Sequence, residues 1–380
     1  MSRPIRVGLI GLSQQSGQGE IGPGTWAVRA HLPYLLASPK YEIVALANSS
    51  TENAKASIAS HKLGPQVKAY GNPDDLANDP DVDLVVISVI VTKHLMLAKP
   101  ALLAGKDVCV EWPLGANITE AEELAKLAAS KGVKTAVGLQ ARSSPLVVKL
   151  RELIKSGKIG KITSTSVVGS FNYPYDTWMA GAEYYLDIES GGNTLTITFG
   201  HFFDSFINVL GDFAQLTPIL HTENANVKVF GSNGEVTNPN YIRTSPDHIF
   251  IQGKLLSGAL ASLNFRTVAG SPIENISLRW IISGTLGEIE VCTTNAGWQM
   301  GPPGATLRMR SGKDGEVETI DLTPVDEPSA VTEEGVLPAT NTARLYEAFA
   351  SGESANFASF SDALATHRAL DKIQSLSKNM

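Results

Sequence analysis

In the first third of the chain, short apolar runs alternate with amphipathic stretches. Residues 5–11, 41–48, 82–89, 108–110 and 135–139 are predominantly apolar, the pattern of strands covered on both faces. Residues 26–37, 51–61, 94–104 and 119–130 between them have helical spacing. Thr51 is an N-cap candidate, and Thr119 with Glu122 has capping-box spacing. Pro33 and Pro100 fall inside helical runs, where proline bends the helix. Strands alternating with helices predict parallel βαβ units and a doubly wound sheet.

The rhythm changes after Gln140. One helix, 145–156, is followed by longer alternating runs at 161–171, 248–254, 259–267, 278–283 and 288–292, which predict strands. Runs 307–310 and 316–322 flank Gly312 and Gly315 as a hairpin. Residues 341–350 and 360–378 close the chain as helices, and the Pro- and Gly-rich stretches 297–304 and 323–338 read as surface loops. The expected architecture is α/β then α+β: a dinucleotide-binding domain over 1–140, then a substrate and oligomerisation domain over 141–380. The second domain has a large, open, mostly antiparallel sheet, and the closing helices are expected to pack back on the first domain. An open sheet face predicts a homodimer through that sheet.

Composition narrows the class. At 380 residues the chain is too long for one ordinary core, and 43% hydrophobic with 18% charged residues is globular. A net charge of −7 argues against nucleic acid as a partner, which needs clustered Lys and Arg. No apolar window is long enough for a membrane helix, and the amino terminus has no signal-peptide core. Cys109 and Cys292 lie in strand-like runs and read as buried free thiols, consistent with a reducing cytoplasmic location. Histidines and cysteines never fall at ligand spacing, so no metal is expected.

Candidate chemistry sits at the strand ends. Gly11-Leu12-Ser13 follows the first strand, where a dinucleotide-binding loop belongs, with Ser13 at the usual second glycine. Its hydroxyl can donate to a phosphate oxygen; a plain strand-to-helix loop is the bland alternative. The second strand ends in Asn48-Ser49-Ser50, where a carboxylate would normally take the ribose of NAD. Without that acid the reading leans to NADP, with NAD as the alternative. A third strand end, 108–110, runs into Glu111-Trp112-Pro113, a turn that points Trp112 at the crevice.

Together with Val7-Gly8-Leu9-Ile10-Gly11, Asp83 to Ile87, His94, Ala104-Gly105-Lys106, Gly191-Gly192 and Gly200-His201-Phe202-Phe203-Asp204, this segment resembles the Gfo/Idh/MocA oxidoreductase family. Leu139 to Pro145, Pro246-Asp247-His248 and 362–368 extend the resemblance to the branch of the fungal galactose-pathway repressor and its oxidoreductase-like relatives. The resemblance implies a Rossmann domain, a second domain on an open sheet, and NAD- or NADP-linked chemistry on a small carbonyl or hydroxyl substrate. It implies that Glu111 and His94 line the cofactor site and that His201 is catalytic. Two positions depart from the family: its lysine is Trp112 here, and the aspartate four residues before the histidine is Ile197. Tryptophan cannot deliver a proton at neutral pH. His201, or Tyr184 or Tyr185, is then the proton donor, although tyrosines in an aromatic run also read as packing. Trp112 is a candidate stacking partner for the nicotinamide or for a flat substrate, and Asp187 and Asp204 are candidate substrate contacts; Trp112 alternatively plugs a vacated site. Two functions follow: an NADPH-linked oxidoreductase with altered proton transfer, on a carbonyl, enone or imine; or a catalytically silent dinucleotide-binding sensor of the repressor type.

Overall fold

The computed structural model describes residues 3–14, 24–171, 173–294, 297–301, 304–324 and 339–378. The chain divides into two units, Met1–Ser143 with Asp326–His367, and Ser144–Val325 with Arg368–Met380.

The first unit is built on β1 (Ile5–Ile10), β2 (Tyr41–Ala47), β3 (Lys68–Tyr70), β4 (Leu84–Ile87), β5 (Asp107–Val110) and β6 (Thr135–Val137). They form one six-stranded sheet in the order β3-β2-β1-β4-β5-β6, with every pair parallel. The order reverses between β1 and β4, so ligands are received outside the carboxyl ends there. Leu84, Val85, Val86 and Ile87 are all fully buried, which explains the unbroken apolar run. The connecting helices are α1 (Leu32–Ala37), α2 (Thr51–Ser60), α3 (Pro73–Ala77), α4 (His94–Leu103) and α5 (Ile118–Lys131). The later helix Ala339–Ser351 completes this core through Ala343, Leu345, Tyr346 and Phe349.

The second unit opens with α6 (Pro145–Lys155) and β7 (Ile162–Phe171). After β8 (Thr177–Met179) come α7 (Gly200–Leu210), β9 (Phe213–His221), β10 (Asn226–Phe230) and β11 (Val236–Ile242). Then follow β12 (His248–Leu255), β13 (Leu260–Thr267), β14 (Leu278–Gly284), β15 (Gly287–Thr293), β16 (Thr306–Ser311) and β17 (Val317–Thr319). An eight-stranded sheet runs β17-β16-β15-β14-β7-β13-β12-β9, antiparallel except for β13 with β7, and β11-β10-β8 form a small second sheet. One face of the large sheet buries Val167, Leu263, Ile251, Trp280 and Val291. The Phe202 and Phe206 rings of α7 pack on Trp280 at centroid distances of 5.4 and 5.6 Å. The helix Phe360–Ser377 carries the boundary between the units.

Several local expectations are corrected. The run 26–37 is helical throughout but not uniformly α: a π-helical turn, Ala27–His31, leads into α1, whose first turn holds Pro33. Helix α2 is capped by Ser50 instead of Thr51, the Ser50 side chain accepting from the Asn53 amide. Helix α5 starts earlier than Thr119, because extended Asn117 accepts from the Glu120 amide and Glu120 reaches back to Ala116. Cys109 is buried, but Cys292 is only half-buried, on the open face of the large sheet; both are free thiols. Trp298 is no surface-loop residue: it is 3% exposed and its indole donates to Ser205. Strands β3 and β8 to β11, and helix α3, had no clear signature in the chain. Residues 15–23, most of the glycine-rich insertion, and 325–338 lie outside the described residues. No helix among the described residues is long and apolar enough to cross a membrane.

Candidate functional site

The carboxyl ends of β1, β2 and β5 carry the candidate residues of the first unit. Gly11 follows β1 with φ +99°. A Cβ there would lie 2.4 Å from the Ser88 carbonyl oxygen and 2.5 Å from Val89, so both the dihedral and the space require glycine. The next two carbonyls are tied down. Leu12, fully buried, accepts from the Asn48 amide and the Ser57 hydroxyl, each at 2.9 Å. The Ser13 carbonyl is 2.7 Å from His61 Nε2. The Ser13 hydroxyl oxygen is buried and has no hydrogen-bond partner among the described residues. A buried hydroxyl without a partner is costly, and a phosphate oxygen would satisfy it. The turn therefore fits the pyrophosphate of a dinucleotide.

Asn48, Ser49 and Ser50 divide their tasks. Asn48 braces the loop from behind, and Ser50 caps α2. Ser49 is exposed and accepts from Asn53 Nδ2 at 2.8 Å. No acid stands at these three positions, so the negative charge that would repel a 2′-phosphate is missing from them.

Glu111 leaves β5 with its amide donating to Ile87, and its carboxylate lies 2.7 Å from His31 Nε2. Trp112 is 4% exposed, and its indole packs on the His367 ring at 4.7 Å between centroids. Burial, with a smaller contribution from His94, pushes His367 down to about 4, so the indole sits against a neutral imidazole. His94 is buried, with Nδ1 2.8 Å from the Pro113 carbonyl and Nε2 3.1 Å from the Val89 carbonyl. Burial also lowers its pKa. A neutral ring carries one proton and both carbonyls only accept, so each tautomer makes one of the two bonds. Its polar edges face backbone and serve as a strut between β4 and the Glu111-Trp112-Pro113 turn.

In the second unit, Tyr184 and Tyr185 share one turn, Glu183–Leu186, with ring centroids 4.9 Å apart. Tyr185 also packs on Tyr173 and Trp178, at 6.2 and 5.9 Å. Burial raises the pKa of Tyr184, which makes it a poorer acid. Asp187 caps the next turn, accepting from the Glu189 amide and the Thr244 hydroxyl. His201 and Asp204 lie one turn apart on α7, 4% and 1% exposed. Ile197 lies on the π-helical turn Thr194–Phe199 that leads into α7, and this turn is fixed by a reciprocal Asn193–Thr196 cap. Thr198 on the same turn meets the Tyr173 hydroxyl at 2.6 Å. Arg243 and Asp247, buried 3.5 Å apart with the guanidinium over Trp178, belong to this neighbourhood. Sequence reading gave no site role to this local pair, nor to Ser57, His61, His31, Tyr346 and His367, each of which meets its partner across a long stretch of chain. No group of three potential metal ligands occurs among the described residues.

Residues 5–139 match the model of the oxidoreductase family with NAD-binding Rossmann fold, and residues 145–293 match the Gal80p C-terminal domain. The chain is 34% identical to dehydrogenase aclE of Aspergillus oryzae over 304 residues, 77% of either chain. It is 31% identical to the galactose/lactose metabolism regulatory protein GAL80 of Kluyveromyces lactis over 303 residues, 76% of this chain and 64% of that protein. The crystal structure of Gal80p from K. lactis superposes with a TM-score of 0.83 at 26% identity, covering 100% of this chain and 93% of that one. The chain thus belongs to the Gfo/Idh/MocA oxidoreductase family, with an NAD-binding Rossmann domain followed by a Gal80-like C-terminal domain.

Proposed function

We propose that this protein is an NADP-linked oxidoreductase acting on a carbonyl or hydroxyl group, or on an enone or imine, of a small molecule. The observation that carries the reading is the turn Gly11-Leu12-Ser13, braced by Asn48, Ser57 and His61 and presenting a buried hydroxyl without a partner among the described residues. Ser13 donates to a phosphate oxygen, and Ser49 contacts the 2′-phosphate that an acid would repel. When bound, the dinucleotide supplies the hydride chemistry. His201 holds and moves the proton at the substrate oxygen from a rigid helix, with Asp204 one turn on. Tyr184 is the weaker donor, its phenol held protonated by burial. The Trp112 indole fills the place of the family lysine and keeps water out of the crevice.

The second reading is a catalytically silent dinucleotide sensor. The buried Trp112 and apolar Ile197 favour it, because both replace reacting groups. Single-turnover fluorescence of bound NADPH against a panel of carbonyl compounds separates the two. Loss of the reduced-nicotinamide signal, abolished in His201→Ala, supports the enzyme; a signal intact with every compound supports the sensor.

We further propose a cytoplasmic homodimer through the open face of the large sheet, with small molecules and not nucleic acid as ligands. Ile219, Phe250, Asn264 and Val168 form one register row across four strands, and Ile219, Phe250 and Val168 are exposed. Light scattering is expected to give a dimer that Phe250→Asp with Val168→Asp dissociates; a monomeric parent protein refutes it.

A further inference from the structure

A groove of about 470 Å³ lies on the first unit between α2 and β3, and the reading above does not use it. That volume is within the ~300–1,000 Å³ range of small-molecule sites. Strand β3 is the edge of the parallel sheet, so no further strand closes the groove. The floor is apolar. Val67 is 7% exposed, and Ile58 and Ala69 are half-buried against the core of the unit. Ala59 and Pro65 line the sides.

The charges on the groove are of one sign. Lys55 and Lys62 line it, and no Asp or Glu among the described residues does. Lys68, next in sequence to Val67, projects to the other face of β3, where its ammonium meets Asp79 at 2.9 Å and Asp81 at 2.7 Å. Glu52, the nearest acid along the helix, is one turn before Lys55, in the capped first turn. The Lys62 ammonium has no hydrogen bond or ion pair among the described residues.

Lys62 stands where glycine would be easier. Helix α2 ends in a Schellman turn: the Lys62 amide donates to the Ala59 carbonyl at 3.2 Å, and the Leu63 amide to the Ile58 carbonyl at 3.1 Å. The residue after the cap must then be left-handed, and Lys62 has φ +54°. Glycine is the usual residue there, because a Cβ is strained in that region. The chain keeps an ammonium group at the rim of the groove instead.

The groove is separate from the dinucleotide loop. Ser57 and His61 brace the Leu12 and Ser13 carbonyls from one side of α2. At about 100° per residue, Lys55, Ile58 and Ala59 project from the other side. We propose that the groove binds a small carboxylic acid with an apolar body. The body covers Ile58, Val67 and Ala69, and the carboxylate is held at the rim by Lys55 and Lys62. Two ammonium groups with no acid between them repel a cation, and a neutral ligand forgoes the charge-assisted hydrogen bonds. This inference does not rest on the dinucleotide-binding reading.

The test is methyl NMR of the full chain, with isotope-labelled Ile and Val methyl groups, titrated with octanoate and separately with octanol. Octanoate is expected to shift the Ile58 and Val67 methyls saturably, and octanol to bind about tenfold more weakly. Lys55→Gln and Lys62→Gln are each expected to weaken octanoate about fivefold. Lys62→Gly is expected to raise the melting temperature, by relieving the left-handed strain, and still to weaken octanoate as much as Lys62→Gln does. Saturating NADPH leaves the octanoate shifts in place. The inference is overturned by absence of saturable shifts at Ile58 and Val67, by octanol binding as tightly as octanoate, or by full octanoate affinity in Lys62→Gly. Displacement of octanoate by NADPH overturns it too, because the groove would then belong to the dinucleotide.

Discussion

Restoring the family's lysine at position 112 tests whether the indole is structural. Trp112 is 4% exposed and packs at a tilt of 51° on the His367 ring, 4.7 Å between centroids. A buried tryptophan removes roughly 200 Å² from water, about 5 kcal/mol at 25 cal/mol/Å². The methylene stem of lysine recovers about half of that. Its ammonium then meets neutral His367 and neutral His94, while the neighbouring carboxylate of Glu111 is engaged by His31. With the cost of desolvating that charge included, the net loss in Trp112→Lys is about 4 kcal/mol. For a domain of this size that lowers the melting temperature by about 10 °C. Trp112→Phe keeps most of the apolar area and loses about half as much. Urea and thermal denaturation followed by circular dichroism read both variants. If Trp112→Lys is within about 1 kcal/mol of the parent protein, or no worse than Trp112→Phe, the indole is not filling a closed site and the plug argument fails.

Three further outcomes follow from the same geometry. Gly11→Ala puts a methyl group 2.4 Å from a backbone oxygen at φ +99°, so a loss of about 3 kcal/mol and at least tenfold weaker NADPH binding are expected; unchanged fluorescence titration contradicts this. His367 titrates near 4 when folded against 6.5 ordinarily, so the unfolded chain takes its proton first. Stability is then intact above about pH 6.5 and falls by roughly 3 kcal/mol as pH drops to about 4, with His94 adding in the same direction. Urea midpoints at pH 7, 5.5 and 4 check this, and His367→Leu, which should flatten the slope, isolates it. Ser49→Asp places a carboxylate at the exposed end of β2 and is expected to shift preference from NADPH to NADH by tenfold or more; an unchanged ratio removes Ser49 from the 2′-phosphate site.

The parallel sheet was legible because its strands are buried on both faces, which writes them as unbroken apolar runs such as Leu84 to Ile87. Strands β9 and β11 were not legible. They contain Pro218 and Pro239, and β11 is exposed along nearly its whole length, so neither periodicity nor composition marks it. Its identity as a strand comes from pairing with β10, a long-range fact. Cap positions were displaced by a residue or two for a related reason. Ser50 and Asn117 compete with Thr51 and Thr119 for the same amides, and the backbone angles decide which side chain reaches them.

The candidate site divides along the same line. Gly11, Glu111 and Trp112 are strand-end positions, visible in the sequence because the turn after each strand is short. Their partners are not: His31 and Tyr346 are 315 residues apart, and Leu12 meets Ser57 across 45. Asn48 shows what that costs a local reading. In the sequence it stands where a ribose contact belongs, yet its amide is spent on Leu12 and Ser57, leaving Ser49 as the exposed polar group of the three. Trp112 argues the opposite way. An indole in place of an ammonium reads in sequence as lost chemistry, but the buried ring packs on a neutral histidine in a site whose backbone struts, His94 and Glu111, are both in place. Drift after loss of function would erode such struts along with the lysine. Their presence around the changed residue fits a cleft that still receives a dinucleotide, which both readings require, so the carbonyl panel with His201→Ala, and not the indole, separates enzyme from sensor.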